Sequence, residues 1–175
     1  MSLKEHIAQH NARYQAQFDR SRLAMPPAKH WAILACMDAR ITVEDAVGLF
    51  TGDAHIIRNA GGLVTEDAIR SFVISAHLLG TNEFAIVGHS DCGMLTFEDE
   101  PVRRQIAEKT GADTGRLRLL PFGDLDASVR EQVRVLAGSP FLPRGIPVTG
   151  FVYEVESGRL REVASARTGR ATVAA

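Results

Sequence analysis

Two short stretches of this chain hold residue types that bind metals and move protons. Cys36-Met37-Asp38-Ala39-Arg40 places a thiol, a carboxylate and a guanidinium at alternate positions. His89-Ser90-Asp91-Cys92-Gly93 adds an imidazole and a second thiol. Two thiolates and one imidazole are borderline-soft donors that suit Zn²⁺ in a tetrahedron. If Cys36, His89 and Cys92 converge, three protein ligands leave the fourth position for water, the arrangement of a catalytic site. Zinc lowers the pKa of such a water to about 7, so the nucleophile near neutral pH is the metal's hydroxide. Alternation along an extended segment puts residues 36, 38 and 40 on one side, so Asp38 and Arg40 can both face the metal. Asp38 can accept the water's proton in a hydrogen bond. Arg40 can hold Asp38 ionised and turned away by a charge-assisted, potentially bidentate pair. Without that restraint, Asp38 is a possible fourth ligand that closes the site.

These residues converge only if the elements carrying them are neighbours. Trp31 to Cys36 is a short continuous apolar run, the pattern of a strand buried on both faces. Phe84 to Gly88 is another, so both candidate segments follow strand ends, where open parallel sheets bind ligands. Between them, Thr42 to Phe50 reads as a helix stopping near Gly52, and Ala54 to Ile57 as a strand. Asn59-Ala60-Gly61-Gly62 forms a turn, and Thr65 to Leu79 reads as an amphipathic helix with Gly80 at its C-terminal cap. Strands alternating with helices imply right-handed βαβ units and a mostly parallel sheet flanked by helices, an α/β fold.

The first 24 residues read as an N-terminal helical arm with a Ser2–Glu5 capping box, ended by Met25-Pro26-Pro27. Its Ile7, Tyr14, Phe18 stripe has no following helix to pack against, which favours an interface over a core. Residues 98–123 read as helix plus loop and Asp124 to Leu136 as a helix. Val148 to Val155 reads as a strand, which Ser157-Gly158 can turn into a short partner at Leu160 to Val163. Residues 164–175, rich in Ala, Thr and Arg, read as a loose tail. The whole chain, 1–175, reads as a single domain.

Composition narrows the partners. Among 175 residues, 20 Lys and Arg face 21 Asp and Glu, so charge gives no reason to expect nucleic acid or an anionic membrane. No apolar run approaches the ~18 residues of a membrane span, and the polar N-terminus lacks a signal-peptide core. Two cysteines and no export signal predict a cytoplasmic location, where thiols stay reduced.

Cys-x-Asp-x-Arg followed by His-x-x-Cys-Gly resembles the β-class carbonic anhydrases, and Arg58-Asn59-Ala60-Gly61-Gly62 matches a segment of that family. The likeness is strong over residues 28 to 97 and weaker over Thr149 to Val155. It implies zinc held by Cys36, His89 and Cys92, with Asp38 and Arg40 as the dyad serving the metal-bound water. It also implies an added antiparallel C-terminal strand and a homodimer or homotetramer with interfacial active sites, the arm wrapping the partner. Ala39 stands where the large plant and bacterial branch usually has Ser, so the chain resembles the shorter actinobacterial and archaeal branch. That branch is close to hydrolases of carbonyl sulfide and carbon disulfide, which share the zinc motif and the Cys92-Gly93-Met94-Leu95 stretch. Reversible hydration of CO₂ to bicarbonate is the leading expectation, with carbonyl sulfide or carbon disulfide hydrolysis as the alternative.

Other polar residues have plainer readings. A non-catalytic zinc-stabilised binding protein, with Asp38 completing a closed site, competes with catalysis, although a domain of this size needs no metal staple. Asp91 reads as a helix N-cap before Cys92. Arg58 reads as structural, paired with a carboxylate or a carbonyl. Gly61-Gly62 reads as backbone turning close to the site. His6 and His10, at i,i+4, read as a solvated helix face, and His30, His55 and His77 as structural.

Overall fold

The computed structural model describes residues 1–169. A five-stranded sheet has the order β2-β1-β3-β4-β5, built from β1 (Trp31–Cys36), β2 (Ala54–Asn59), β3 (Glu83–His89), β4 (Pro147–Tyr153) and β5 (Leu160–Arg167). The first four strands pair in parallel, and β5 runs antiparallel to β4 at the edge. β1 and β3 are neighbours, with Leu34 opposite Ile86 and Ala35 opposite Val87. The chain steps from β1 to β2 on one side and then crosses to β3 on the other. The β1–β3 boundary is therefore the switch point where a crevice opens beyond the strand ends.

Side-chain alternation divides the core between the two faces of the sheet. Leu34, Phe84, Ile86 and Val148 point toward α3 (Glu66–Leu79) and α5 (Leu125–Ala137), whose Phe72, Val133 and Leu136 complete that cluster. Gly150 of β4 lets α5 lie close, because a Cβ there would meet methyls of Val129 and Val133 at 2.7 Å. On the opposite face Ile33, Ala35 and Val87 pack with Ile41, Val43 and Leu49. Among the described residues that face is covered by the short α2 (Val43–Val47) and loops, and Trp31, Ile56 and Phe151 stay partly exposed.

Several boundaries differ from the sequence expectations. α1 (Leu3–Ala16) has the Ser2–Glu5 capping box but stops at Gln17, well before residue 24. The following turns are tied down instead, with Arg20 donating to Thr51 and Leu23 lying against Gly52. α2 ends at Gly48, which enters the left-handed region and closes the helix a turn early; Thr42 caps it without a side-chain hydrogen bond. α4 (Asp99–Thr110) accounts for the helix expected within 98–123. β5 runs past Val163 to Arg167, so the loose tail does not begin at 164. Ala164 is buried against the core, and buried Thr168 receives the Ile146 N–H on its hydroxyl. The rest of that expected tail, 170–175, lies outside the described residues. Among the described residues, no helix is long and apolar enough to cross a membrane.

Candidate metal centre and its carboxylate dyad

Cys36 ends β1, His89 ends β3, and Cys92 follows at the start of a 3₁₀ turn, Gly93–Leu95. All three are buried, and their donor atoms lie within 4.8 Å of one another. The adjacency of β1 and β3 makes this possible, since both strands deliver their last residue to the same crevice.

The imidazole is fixed by its second nitrogen. Nδ1 lies 2.8 Å from the Ser90 carbonyl, which can only accept, so Nδ1 carries the proton. Nε2 is then the bare nitrogen; it is buried and has no hydrogen-bond partner. An orphaned buried nitrogen aimed at two thiols is costly unless a cation completes it. The donor set and this orphan both fit a tetrahedral metal with two thiolates and one imidazole.

Charge is distributed unevenly over the cluster. Burial opposes ionisation of Cys36, but neighbouring His89 and the N–H groups of Asp38 and Gly61, which donate to its sulfur, prevail and bring the thiol to about 7. Burial pushes the Cys92 thiol up to about 11, with adjacent Cys36 adding to it and the Met94 N–H partly offsetting it. Burial works against a charged His89, yet Cys36 beside it raises His89 above its ordinary value.

Asp38 is held away from the three donors. Its Oδ1 accepts from Arg40 Nε at 3.0 Å and from the Arg40 backbone N–H at 2.9 Å, and its Oδ2 accepts from Arg40 Nη2 at 2.8 Å. These charge-assisted bonds hold the Asp38 carboxyl well below the usual carboxylate range, so it is ionised. Oδ2 lies 3.8 Å from His89 Nε2, at the edge of the cluster. Arg58 fixes the backbone beneath, donating to the carbonyls of Cys36 at 2.9 Å and Asp38 at 2.6 Å. That is the structural role expected for it.

The glycine turn also approaches the site closely. Gly62 has φ +63°, and a Cβ there would come 3.1 Å from both the Cys36 nitrogen and the Val87 carbonyl oxygen. Asn59 clamps the turn, exchanging hydrogen bonds with the Leu63 backbone at 2.7 and 2.8 Å.

Asp91 corrects the sequence reading. It is no N-cap; Cys92 occupies that position, and no side chain bonds across it. Asp91 instead accepts from Arg40 Nη1 at 2.6 Å through its carboxylate and from Nη2 at 2.9 Å through its carbonyl. A residue between two candidate ligands can reach the opposite loop as readily as its own turn, and only the pairing of β1 with β3 shows which. The other histidines stand apart from the centre. His55 bonds Ser75, His30 the Gly80 carbonyl and His77 the Phe141 carbonyl, while exposed His6 and His10 stack on α1.

Comparison with known proteins identifies the chain's relatives. The carbonic anhydrase family model matches residues 31–120, which hold the whole centre. Beta-carbonic anhydrase 1 of Mycobacterium tuberculosis is 42% identical over 165 residues, covering 93% of this chain and 99% of that protein. A carbon disulfide hydrolase of Acidithiobacillus thiooxidans is 33% identical over 181 residues, covering 92% and 90%. The crystal structure of carbonic anhydrase from Streptococcus mutans superposes with a TM-score of 0.88 at 42% identity, covering 93% of this chain and 98% of that one. With its sheet order, its Cys-His-Cys cluster and relatives alike over nearly their full length, the chain belongs to the β-carbonic anhydrase family.

Proposed function

We propose that this protein is a zinc-dependent carbonate dehydratase, interconverting CO₂ with bicarbonate, and that Cys36, His89 and Cys92 hold the zinc. The observation that carries this reading is the bare, buried Nε2 of His89 facing two thiols while Asp38, the nearest carboxylate, is engaged by Arg40. A structural zinc site would be closed by a fourth protein ligand; here the available carboxylate is restrained from that role.

Zinc, when bound, supplies the Lewis acidity that brings a coordinated water to a pKa of about 7. The chain's residues supply the rest. Ionised Asp38 has no proton to give, so it can only accept a hydrogen bond from the reacting water and turn that water's lone pair toward the substrate carbon. Arg40 keeps Asp38 ionised and oriented, and Arg58 keeps the Cys36–Asp38 backbone from shifting. Asp38 is about a fifth exposed, so the proton that water releases leaves to solvent beside the carboxylate, which stays ionised. Leu95, Phe97 and Phe122, partly buried against the apolar cluster that includes Cys36 and Cys92, suit an uncharged linear substrate.

Carbon disulfide or carbonyl sulfide hydrolysis is the second reading, supported by the carbon disulfide hydrolases among the relatives. We also infer a homodimer or homotetramer in the cytoplasm. Leu3, Ile7 and Tyr14 are exposed on α1, which has no buried residue, and Phe18 just beyond it is exposed too, so the arm lacks a core of its own.

The test is CO₂ hydration by stopped flow on zinc-loaded protein, run beside sulfide release from carbonyl sulfide and carbon disulfide. Fast CO₂ turnover that Asp38→Asn largely abolishes, with zinc retained, supports the proposal. Sulfide release without CO₂ turnover moves the function to sulfur chemistry, and silence on all three substrates refutes catalysis.

A further inference from the structure

Asp91 lies outside the ligand set and outside the Asp38–Arg40 dyad, yet its hydrogen bonds to Arg40 tie together the two segments that form the site. Its backbone is left-handed at φ +54°, a region that few non-glycine residues occupy. Its position between His89 and Cys92 joins anything it holds to the ligands themselves. What it holds is Arg40, through the carboxylate on Nη1 and the carbonyl on Nη2. The Asp38–Arg40 pair is local, made within one loop by residues two apart. By itself it can move as a unit, for Arg40 is half exposed. Asp38 Oδ2 lies only 3.8 Å from His89 Nε2, so a modest rotation would carry it among the donors.

We propose that Asp91 is a positioning residue whose grip on the outer edge of the Arg40 guanidinium keeps the Asp38 carboxylate off the metal. The inference rests on the zinc reading above. Asp91's own carboxylate is three-quarters exposed, so its charge is screened and its effect is directional. Asn therefore substitutes for it, since Asn keeps an acceptor oxygen and tolerates the left-handed backbone. Gly keeps the backbone and the carbonyl contact but removes the grip.

The experiment loads wild type, Asp91→Asn, Asp91→Gly and Asp91→Gly/Asp38→Asn with cobalt(II) and titrates each with azide, following the visible spectrum. Wild type and Asp91→Asn bind azide alike. Asp91→Gly binds about tenfold or more weakly, in the range of lost supporting contacts at metal sites, because Asp38 occupies the position azide needs. The double variant recovers azide binding. Azide affinity in Asp91→Gly equal to wild type, or no recovery in the double variant, overturns the role of Asp91 alone. Wild type that takes up no cobalt overturns the metal reading and this inference with it.

Discussion

Replacing Gly62 with Ala tests how closely the glycine turn is built against the metal centre. Gly62 sits at φ +63°, and its added Cβ would meet the Cys36 nitrogen and Val87 oxygen at 3.1 Å and the Ala35 carbonyl carbon at 3.2 Å. All three are backbone atoms of β1 and β3 and cannot rotate aside. Gly48, at φ +68°, has nothing within 4 Å of the same added atom. Both substitutions impose the left-handed strain of about 1–2 kcal/mol, but only Gly62→Ala adds overpacking of about 1–3 kcal/mol. For a domain of this size each kcal/mol moves the melting temperature by about 2–4 °C. Gly48→Ala should therefore melt a few degrees below wild type, and Gly62→Ala about 2–12 °C below Gly48→Ala. The scans use metal-free protein, so that loss of a bound ion adds nothing to the difference. Elemental analysis after zinc loading gives the second readout, because the crowded atom is the Cys36 nitrogen. Equal melting temperatures for the two variants, with full zinc in both, would falsify the close-approach reasoning.

The remaining predictions concern the ligands, the acid limb and the arm. Cys92→Ser loses most of its zinc on dialysis because one soft donor is gone; full occupancy by elemental analysis removes Cys92 from the ligand set. Arg161 bonds Asp126 at 2.6 and 2.8 Å, joining β5 to α5 and holding the Asp126 carboxyl below its ordinary value of 3.8. That stabilisation is fully present above pH 3.8 and is lost as the pH falls through the lower folded value. Asp126→Asn should cost about 1 kcal/mol near neutrality, little after solvent screening, and flatten the acid limb of a denaturation series; an unchanged limb contradicts the assignment. Deleting residues 1–24 should reduce the assembly to smaller species in sedimentation, and an unaltered sedimentation profile places the interface elsewhere.

The elements were legible where local pattern and burial agree. The unbroken apolar run of β1 is buried along nearly its whole length, and α3 carries its Thr65 cap, its amphipathic face and its Gly80 stop as the spacing implied. Boundaries failed where a single residue or a distant contact decided them. Gly48, not Gly52, ends α2. β5 continues to Arg167 because it pairs along the length of β4, a partner that nothing in an Ala- and Arg-rich local sequence announces.

The division at the centre is of the same kind. Residue types and their spacing along the chain determined which donors were available, that two thiols and an imidazole suit zinc, and that an Asp two residues from an Arg can pair with it. Those are properties of side chains and of near neighbours, and the sequence states them directly. Only the tertiary structure decided that β1 lies beside β3, so that donors from separate segments meet, that the His89 carbonyl partner leaves Nε2 bare, and that Asp91 reaches Arg40 instead of capping its own turn. The β1–β3 adjacency and the Asp91–Arg40 contact depend on the relative placement of segments far apart in the chain, which the packing of the whole sheet sets and no local pattern encodes; the carbonyl that orients His89 belongs to its neighbour Ser90, and only the folded backbone turns it onto Nδ1.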